Sequence, residues 1–142
     1  MKRRLSAREY AVKTCSLSGQ TKLTLKRKLI KKGYRSDEIS AAVDAMEENG
    51  YIDENEYARA FVSDSYRIKK HGARRIINEL LCRGVNKALA QRAVEEYGAN
   101  EYEIICDIFE KRFDEDDDKA KVMRFFLSRG FKADDIRRCI DA

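Results

Sequence analysis

The sequence contains no proline, no tryptophan and only one histidine among its 142 residues. Proline interrupts helices because it lacks an amide hydrogen and clashes with the preceding turn, so its absence removes the commonest helix breaker. Glycine is also sparse, and its seven copies fall between segments with helical apolar spacing. This pattern predicts a chain made almost entirely of helices joined by short turns.

Long apolar runs are missing as well. None approaches the roughly 18 residues that a membrane-spanning helix needs. The basic start, residues 1–5, is not followed by the apolar stretch of a secretory signal. We therefore expect a cytoplasmic chain with no membrane partner. Hydrophobic residues still make up 43% of the sequence, which is enough to build a core and argues against wholesale disorder.

The residue types that carry metal or nucleophilic chemistry are scattered. The cysteines are Cys15, Cys82, Cys106 and Cys139. Zinc sites use ligands at short spacing, so these cysteines are expected to be free thiols in a cytosolic chain. His71 has no nearby serine or cysteine that suggests a nucleophile pair, and the acidic run 114–118 lacks the glycine and glutamate of a calcium loop. We predict no enzymatic activity, no cofactor and no metal.

An internal repeat runs through the sequence. A Glu-Tyr pair begins at residues 9, 56 and 101, and a glycine follows a basic residue at positions 33, 84 and 130. Successive copies of the glycine are 51 and 46 residues apart. Periods of this length are typical of proteins built from stacked structural repeats.

Apolar residues recur at fixed distances from these glycines. The positions eight, four and three residues before each glycine form one helical stripe, and those six and ten residues after it form a second. The first stripe contains Leu25, Leu29 and Ile30, then Ile76, Leu80 and Leu81, then Val122, Phe126 and Leu127. A third helix, carrying the Glu-Tyr pair, is predicted to open each copy. In copy two its apolar stripe is expected to be Tyr57, Ala60, Phe61 and Ile68.

Candidate capping residues mark where the helices begin. Three pairs match a capping box or a variant of one: Ser6 with Glu9, Asp53 with Glu56, and Asn100 with Glu103. Ser36 and Asn86 are expected to cap the last helices of copies one and two. The predicted fold is all-α, with three tandem three-helix repeats over 6–50, 53–98 and 100–142 that form an extended, curved rod. One compact helical bundle is the alternative.

The same alignment predicts the environment of three cysteines. Cys106 falls in register with Phe61, and Cys139 falls in register with Ala42 and Ala93. Both thiols are therefore expected to be buried. Cys82 aligns with polar positions and is expected to be more exposed.

Charge is distributed unevenly along the chain. Residues 1–50 carry a net charge of +6, residues 51–98 carry +2 and residues 99–142 carry −3. A basic end suits contact with a polyanion, although a mixed solvated surface explains the pattern equally well. The residues predicted to bind DNA or a DNA-bound filament are Lys22, Lys26, Arg27, Lys28, Lys31, Lys32, Arg67, Lys69, Lys70, Arg74, Arg75 and Arg83. Aromatic residues are not interleaved with them, so base stacking is not indicated.

The segment Gly50–Val62, continuing through Gly72–Ile76 and Arg83–Val85, resembles the RecX family. The resemblance implies three three-helix repeats and a partner, the RecA recombinase filament on single-stranded DNA. Members of that family bind in the filament groove, bridge its subunits, contact DNA through basic surface and oppose filament growth or activity. We therefore expect a monomeric regulator of homologous recombination, DNA repair and the SOS response.

Two other functions stay open on the sequence alone. One is a general nucleic-acid-binding helical-repeat module that acts without a recombinase partner. The other is a helical scaffold whose basic face only keeps it soluble. Each would have the same helical periodicity and the same charge gradient.

Overall fold

The computed structural model describes residues 3–142, and the first two residues of the basic start lie outside the described part. Within that part nine α-helices follow one another, with no strand. They are α1 (Ala7–Leu17), α2 (Lys22–Lys31), α3 (Ser36–Glu48), α4 (Glu54–Asp64), α5 (Ala73–Cys82), α6 (Lys87–Tyr97), α7 (Glu101–Arg112), α8 (Lys119–Ser128) and α9 (Ala133–Ile140). A π-helical segment, Ser65–Lys69, extends α4. The all-α prediction is confirmed, and none of these helices is long and apolar enough to span a bilayer.

The helices pack in threes, and each group encloses its own apolar core. We refer to α1–α3, α4–α6 and α7–α9 as repeats 1, 2 and 3, and we propose 6–50, 53–98 and 100–142 as their boundaries. The accessible surface is 9281 Å², whereas a compact protein of this length would expose about 7,500 Å². The additional exposed surface is expected, because a short chain divided into a row of small cores has more surface for its volume than one with a single core.

Most helix starts agree with the sequence prediction. Ser6 and Glu9 form a capping box at α1, and Asp53, Asn86 and Asn100 each accept a hydrogen bond from the first turn of the helix they precede. The prediction for Ser36 was wrong, because Arg35 is the N-cap and Ser36 is the first helical residue. The Glu38 carboxylate accepts the Arg35 amide instead, so a charged side chain satisfies this helix start.

The apolar stripe of α4 was only partly predicted. Tyr57 and Phe61 pack against the core of repeat 2, but Ala60 and Ile68 are exposed. The buried positions are Ala58, Val62, Ser65 and Tyr66. A π-helix has more residues per turn than an α-helix, so the segment after Asp64 rotates Ile68 away from the core.

The prediction of burial was also wrong for the position three residues before each glycine. Ile30, Leu81 and Leu127 are 55%, 38% and 40% exposed. This position lies about 100° around the helix from the position four before the glycine. With only two other helices in each repeat, the covered stripe is narrower than that angle. Each repeat therefore exposes one large aliphatic side chain at an equivalent site.

Consecutive repeats meet at the ends of their second helices. We call the contact between repeats 1 and 2 junction 1–2, where the carbonyl end of α5 meets the amide end of α2. The Thr21 hydroxyl donates to the Arg83 carbonyl, and Arg27 Nη1 donates to the Cys82 carbonyl at 3.0 Å. Head-to-tail order sets opposite ends of the two helix dipoles against each other, which is favourable.

The contact between repeats 2 and 3, junction 2–3, uses main-chain donors in addition to side-chain donors such as the Tyr66 hydroxyl, which donates to Glu101 at 2.7 Å. The Gly72 amide donates to the Arg129 carbonyl at 2.7 Å, and the Arg74 amide donates to the Gly130 carbonyl at 3.2 Å. Gly130 has a φ of +95°, and a Cβ there would lie 2.5 Å from the backbone nitrogen of Arg75. Glycine is therefore required at position 130 both for its conformation and for the close approach of α8 to α5.

Candidate functional site

A groove of about 930 Å³ lies where the three repeats meet. We call it the junction groove. Its charged lining consists of Arg27, Lys69, Arg75, Glu79, Arg83 and Arg129. Repeat 1 supplies the first of these residues, repeat 2 the next four and repeat 3 the last. The groove exists because the two junctions bring the ends of α2, α5 and α8 together.

Aromatic rings hold several of these cations in place. The Arg83 guanidinium lies 4.4 Å from the centroid of the Phe61 ring, and the Lys69 ammonium lies 5.3 Å from the same centroid. Arg112 and Arg129 each lie 4.5 Å from the centroid of Phe125. Cations over ring faces are attracted by the ring quadrupole, so two aromatic side chains orient the charged groups that border the groove.

These contacts place aromatic residues beside the basic ones without creating a surface for base stacking. In the sequence no aromatic residue is interleaved with the basic clusters, but the fold sets Phe61 and Phe125 beneath cations that come from other segments. Because the cations already cover the ring faces, the rings position guanidinium groups and do not offer bare stacking surfaces. The absence of a base-stacking platform therefore still fits the arrangement.

Positive charge in the groove is poorly neutralised. Glu79 is the only carboxylate in the lining, and it pairs with Arg75 at 2.9 Å. Among the described residues no carboxylate lies within salt-bridge distance of Arg27, Lys69, Arg83 or Arg129. Arg83 Nη1 is buried and donates to no acceptor in the described part of the chain. Such an excess of unpaired cations favours binding of an anion.

His71 lies in the same groove, at the end of the π-helical segment. Partial burial lowers its pKa, and the charges of Arg75, Lys69 and Arg129 lower it further, while Glu79 acts in the opposite direction. The imidazole is therefore neutral at neutral pH. A bound anion would favour its charged form and raise its pKa.

The structure divides the twelve basic residues predicted from the sequence among several surfaces. Arg27, Lys69, Arg75 and Arg83 line the junction groove. Lys28, Lys31 and Lys32 line a second groove, between α1 and α2. Lys22 and Lys26 lie in a third, beside α3. Consecutive residues of a helix point about 100° apart, so a run of basic residues in sequence does not form one surface.

The other three predicted residues lie outside the junction groove. Lys70 lies near Lys111 and Arg112 of repeat 3. Arg67 pairs with Asp64 at 3.5 Å. The Arg74 side chain is exposed, and its amide belongs to junction 2–3. The predicted role of these residues in binding stays a prediction.

Sequence reasoning missed Arg129 and Arg112, because repeat 3 is acidic overall and was expected to contribute little. The sequence did contain a pattern from which Arg129 could have been predicted. Arg129 precedes Gly130 just as Arg83 precedes Gly84, so the repeat register already placed the two arginines at equivalent positions. Phe61 and Phe125 gave no comparable signal, since their neighbours depend on how the repeats stack.

The cysteines are only partly as predicted. Cys82 is exposed and lines the junction groove, as its register suggested. Cys106 and Cys139 were expected to be buried but are half-buried, and their sulfur atoms lie 3.4 Å apart. Across residues 3–142 no group of three or more candidate ligands could hold a metal ion.

Comparison with known proteins identifies the family. Residues 53–94 match the description "RecX, second three-helix domain", and residues 99–140 match "RecX, third three-helix domain". The "Regulatory protein RecX" of Vibrio vulnificus is 30% identical over 138 residues, which cover 94% of this chain and 90% of that relative. The chain belongs to the RecX family. The resemblance drawn from the sequence is therefore confirmed.

Other members of the RecX family support the same assignment. The "Regulatory protein RecX" of Thermus thermophilus is 31% identical over 122 residues, covering 86% of this chain and 81% of the relative. The crystal structure of RecX from Lactobacillus salivarius matches with a TM-score of 0.81 at 22% identity, covering 95% of this chain and 92% of that one. The identities to relatives show a family of regulatory proteins, and the structural match shows the three-repeat fold.

Proposed function

We propose that this RecX-family chain binds the RecA filament on single-stranded DNA and restrains recombinase activity in homologous recombination, DNA repair and the SOS response. It would act in the cytoplasm, as a monomer and without catalysis. The junction groove carries the proposal, because cations from three repeats meet there with one carboxylate among them. A groove that crosses both junctions follows the long direction of the array and suits an extended phosphate backbone.

The chemistry of the groove fits phosphate. Arginine guanidinium groups bind phosphate through several donors at once. Each phosphate contact on a single strand releases bound counterions and contributes about 0.7 to the slope of log affinity against log salt. The four groove cations without a carboxylate partner can make such contacts without first breaking an ion pair.

The exposed aliphatic residues favour a protein partner in addition to DNA. Ile30, Leu81 and Leu127 occupy equivalent positions in the three repeats, and all three are exposed. Apolar side chains contribute nothing to phosphate binding, but they do bury area against protein. An exposed residue that recurs once per repeat suits a partner that also repeats, such as a filament of identical subunits.

The test is a titration into RecA, single-stranded DNA and ATP, with ATP hydrolysis and strand exchange as the readouts. A groove variant combines Lys69→Ala with Arg83→Ala. An apolar variant combines Ile30→Gln, Leu81→Gln and Leu127→Gln. The groove variant should lose both DNA affinity and inhibition, whereas the apolar variant should lose inhibition and keep its DNA affinity. Lys119→Ala with Lys121→Ala, in repeat 3 and outside the groove, is the matched control.

The outcomes separate the candidate functions. Inhibition by the native chain well below the concentration that saturates naked DNA supports the filament regulator. If the apolar variant inhibits like the native chain, and both act only by competing for DNA, the general nucleic-acid-binding module is the better description. A chain that neither binds DNA nor alters hydrolysis would be a scaffold.

A further inference from the structure

Repeat 3 holds two thiols in direct contact. Cys106 lies on α7 and Cys139 lies on α9, and their sulfur atoms are 3.4 Å apart. Both are free and half-buried, so a small solute can reach the pair. The two cysteines are 33 positions apart in sequence, and the stretch between them contains the whole of α8.

Little movement would join them. A disulfide has a sulfur–sulfur distance of about 2.05 Å, so atoms now at 3.4 Å need to approach by only about 1.4 Å. One of the two helices that carry the thiols, α9, is the shortest α-helix described, with 8 residues, and fully buries only Ile136. Repeat 3 also has the smallest core, with five fully buried apolar residues against nine in each of the other repeats.

We propose that Cys106 and Cys139 are a redox modification site that forms a reversible intramolecular disulfide in response to hydroperoxides. The site is separate from the junction groove, and it does not depend on the function proposed above.

The chemistry balances with one molecule of hydrogen peroxide, and an organic hydroperoxide would release an alcohol in place of the first water. The Cys106 thiolate attacks a peroxide oxygen, the O–O bond breaks, and the departing hydroxide takes up a proton to become water while Cys106 becomes a sulfenic acid. The Cys139 sulfur then attacks the Cys106 sulfur, so that an S–S bond forms and the S–O bond breaks. The hydroxide released there takes the Cys139 proton and leaves as the second water. The two sulfur atoms have supplied the two electrons, and a dithiol reductant reverses the change.

The surroundings assign the order of attack. Burial, together with the contact to Cys106, raises the pKa of Cys139 to about 12. The thiolate is the attacking species, so a raised pKa disfavours Cys139 as the first nucleophile and leaves that step to Cys106. The neighbouring Arg138 guanidinium, 3.9 Å from the centroid of the Tyr102 ring, keeps a positive charge on this side of the repeat.

The bond would stabilise the third repeat. It closes a loop that contains α8 and removes conformations from the unfolded chain, so the thermal midpoint of repeat 3 should rise by roughly 5 °C or more. The oxidised chain would differ from the reduced chain in how readily α9 opens.

The experiment uses the full reduced chain. It is treated with hydrogen peroxide, its remaining thiols are alkylated, and its intact mass and thermal midpoint are measured. We expect a loss of two hydrogen atoms, two alkylated thiols, a proteolytic fragment that links Cys106 to Cys139, a higher midpoint, and full reversal by dithiothreitol. Oxidation at all four cysteines alike, or a covalent dimer as the main product, would overturn the proposal.

Variants isolate the pair. Cys106→Ser or Cys139→Ser should abolish the mass change and the shift in midpoint, whereas Cys15→Ser with Cys82→Ser should preserve both. Retention of the midpoint shift in Cys139→Ser would also contradict the proposal. Cys106→Ala provides a second substitution should serine in a half-buried site prevent folding, and the mass of the native chain is decisive without any variant.

Discussion

The two junctions join neighbouring repeats through the same helix ends but through different donors. Junction 1–2 relies on side chains, the Thr21 hydroxyl and the Arg27 guanidinium. Junction 2–3 adds direct main-chain bonds, from the amides of Gly72 and Arg74, to side-chain contacts such as that between the Tyr66 hydroxyl and the Glu101 carboxylate. Both junctions need a glycine, because an added Cβ would lie 2.6 Å from Leu23 Cβ at Gly84 and 2.5 Å from the Arg75 nitrogen at Gly130. Among the described residues, direct main-chain bonds between repeats occur at the second junction and not at the first.

The acceptor is equivalent in the two junctions, which explains why different donors can form the hydrogen bond. The carbonyl of the residue before the glycine accepts in both junctions. The Arg83 carbonyl accepts from the Thr21 hydroxyl, and the Arg129 carbonyl accepts from the Gly72 amide. The equivalent carbonyl in repeat 1, that of Lys32, accepts from Arg4 Nη2 at 2.6 Å. A helix end leaves its last carbonyls without partners inside the helix, so each repeat offers the same acceptor to whatever donor lies nearby.

Breaking junction 2–3 should have the largest effect. Gly130→Ala combines the strain of a left-handed alanine, about 1–2 kcal/mol, with the cost of overpacking against Arg75, about 1–3 kcal/mol. We expect a loss of about 3 kcal/mol in the free energy of unfolding, measured by urea denaturation. Gly50→Ala is the control, because Gly50 has a φ of +79° and a Cβ added there would have no neighbouring atom within 4 Å. Equal losses in the two variants would show that junction 2–3 relaxes without cost.

Junction 1–2 should be the weaker of the two. Thr21→Val removes the hydroxyl that caps α2 and donates to the Arg83 carbonyl. The lost cap and the carbonyl left without a donor should together cost about 2 kcal/mol. Thr21→Ser keeps the hydroxyl and should unfold close to the native midpoint. A serine variant as unstable as the valine variant would mean that the threonine methyl group, and not the hydroxyl, stabilises the junction.

Removing one charge at each junction tests whether both sides of the groove contact DNA. Arg27→Gln acts at junction 1–2 and Arg129→Gln at junction 2–3. Each should lower the free energy of unfolding by about 1 kcal/mol, because each loses one hydrogen bond across its junction and no ion pair. Each should also reduce the salt slope for single-stranded DNA by about 0.7. Fluorescence anisotropy over a series of salt concentrations measures this slope. A reduction in only one variant would show that the strand does not cross both junctions.

The smallest expected effect depends on His71. Its folded pKa is lowered by burial and by Arg75, Lys69 and Arg129, against Glu79. The stability contributed by the neutral imidazole is therefore present above the unfolded pKa and declines as the pH falls below it. A phosphate in the groove would raise the pKa of His71, so binding would take up a proton and tighten as the pH falls.

The measurement compares DNA affinity at about pH 7.5 and about pH 5.5, a range in which histidine titrates and most carboxylates stay ionised. DNA affinity should increase less between about pH 7.5 and about pH 5.5 in His71→Gln than in the native chain, because the variant has no imidazole to protonate. An identical pH profile in the native chain and the variant would exclude phosphate contact near His71.

Periodicity predicted the helices and the glycine stops because both are local properties of the sequence. It failed at Ile68, where a π-helical turn changes the number of residues per turn, and at Ile30, which lies at the edge of a stripe too narrow to cover it. In each case the error followed from assuming regular helices with a broad buried face.

The junction groove was predicted only in part, for a different reason. Arg27 and Arg83 come from different repeats, and they become neighbours only through the stacking of α5 on α2. Local spacing carries no information about that contact. The basic residue before each glycine was visible in all three copies, but its importance depends on the junctions that those glycines form.

Junction 2–3 has a consequence for how this molecule can change during evolution. Two of its hydrogen bonds join main-chain atoms, and they require glycine at positions 72 and 130, where an added Cβ would lie 2.5 Å from the facing backbone. These two bonds do not depend on the identity of the surrounding side chains, although Tyr66 and Glu101 add a side-chain contact across the same junction. Substitutions at exposed positions away from these contacts can then accumulate over both repeats while the main-chain bonds persist. Solved RecX structures that keep this architecture at low sequence identity are consistent with such freedom. The surfaces that meet a partner can diverge in this way while the framework that presents them persists.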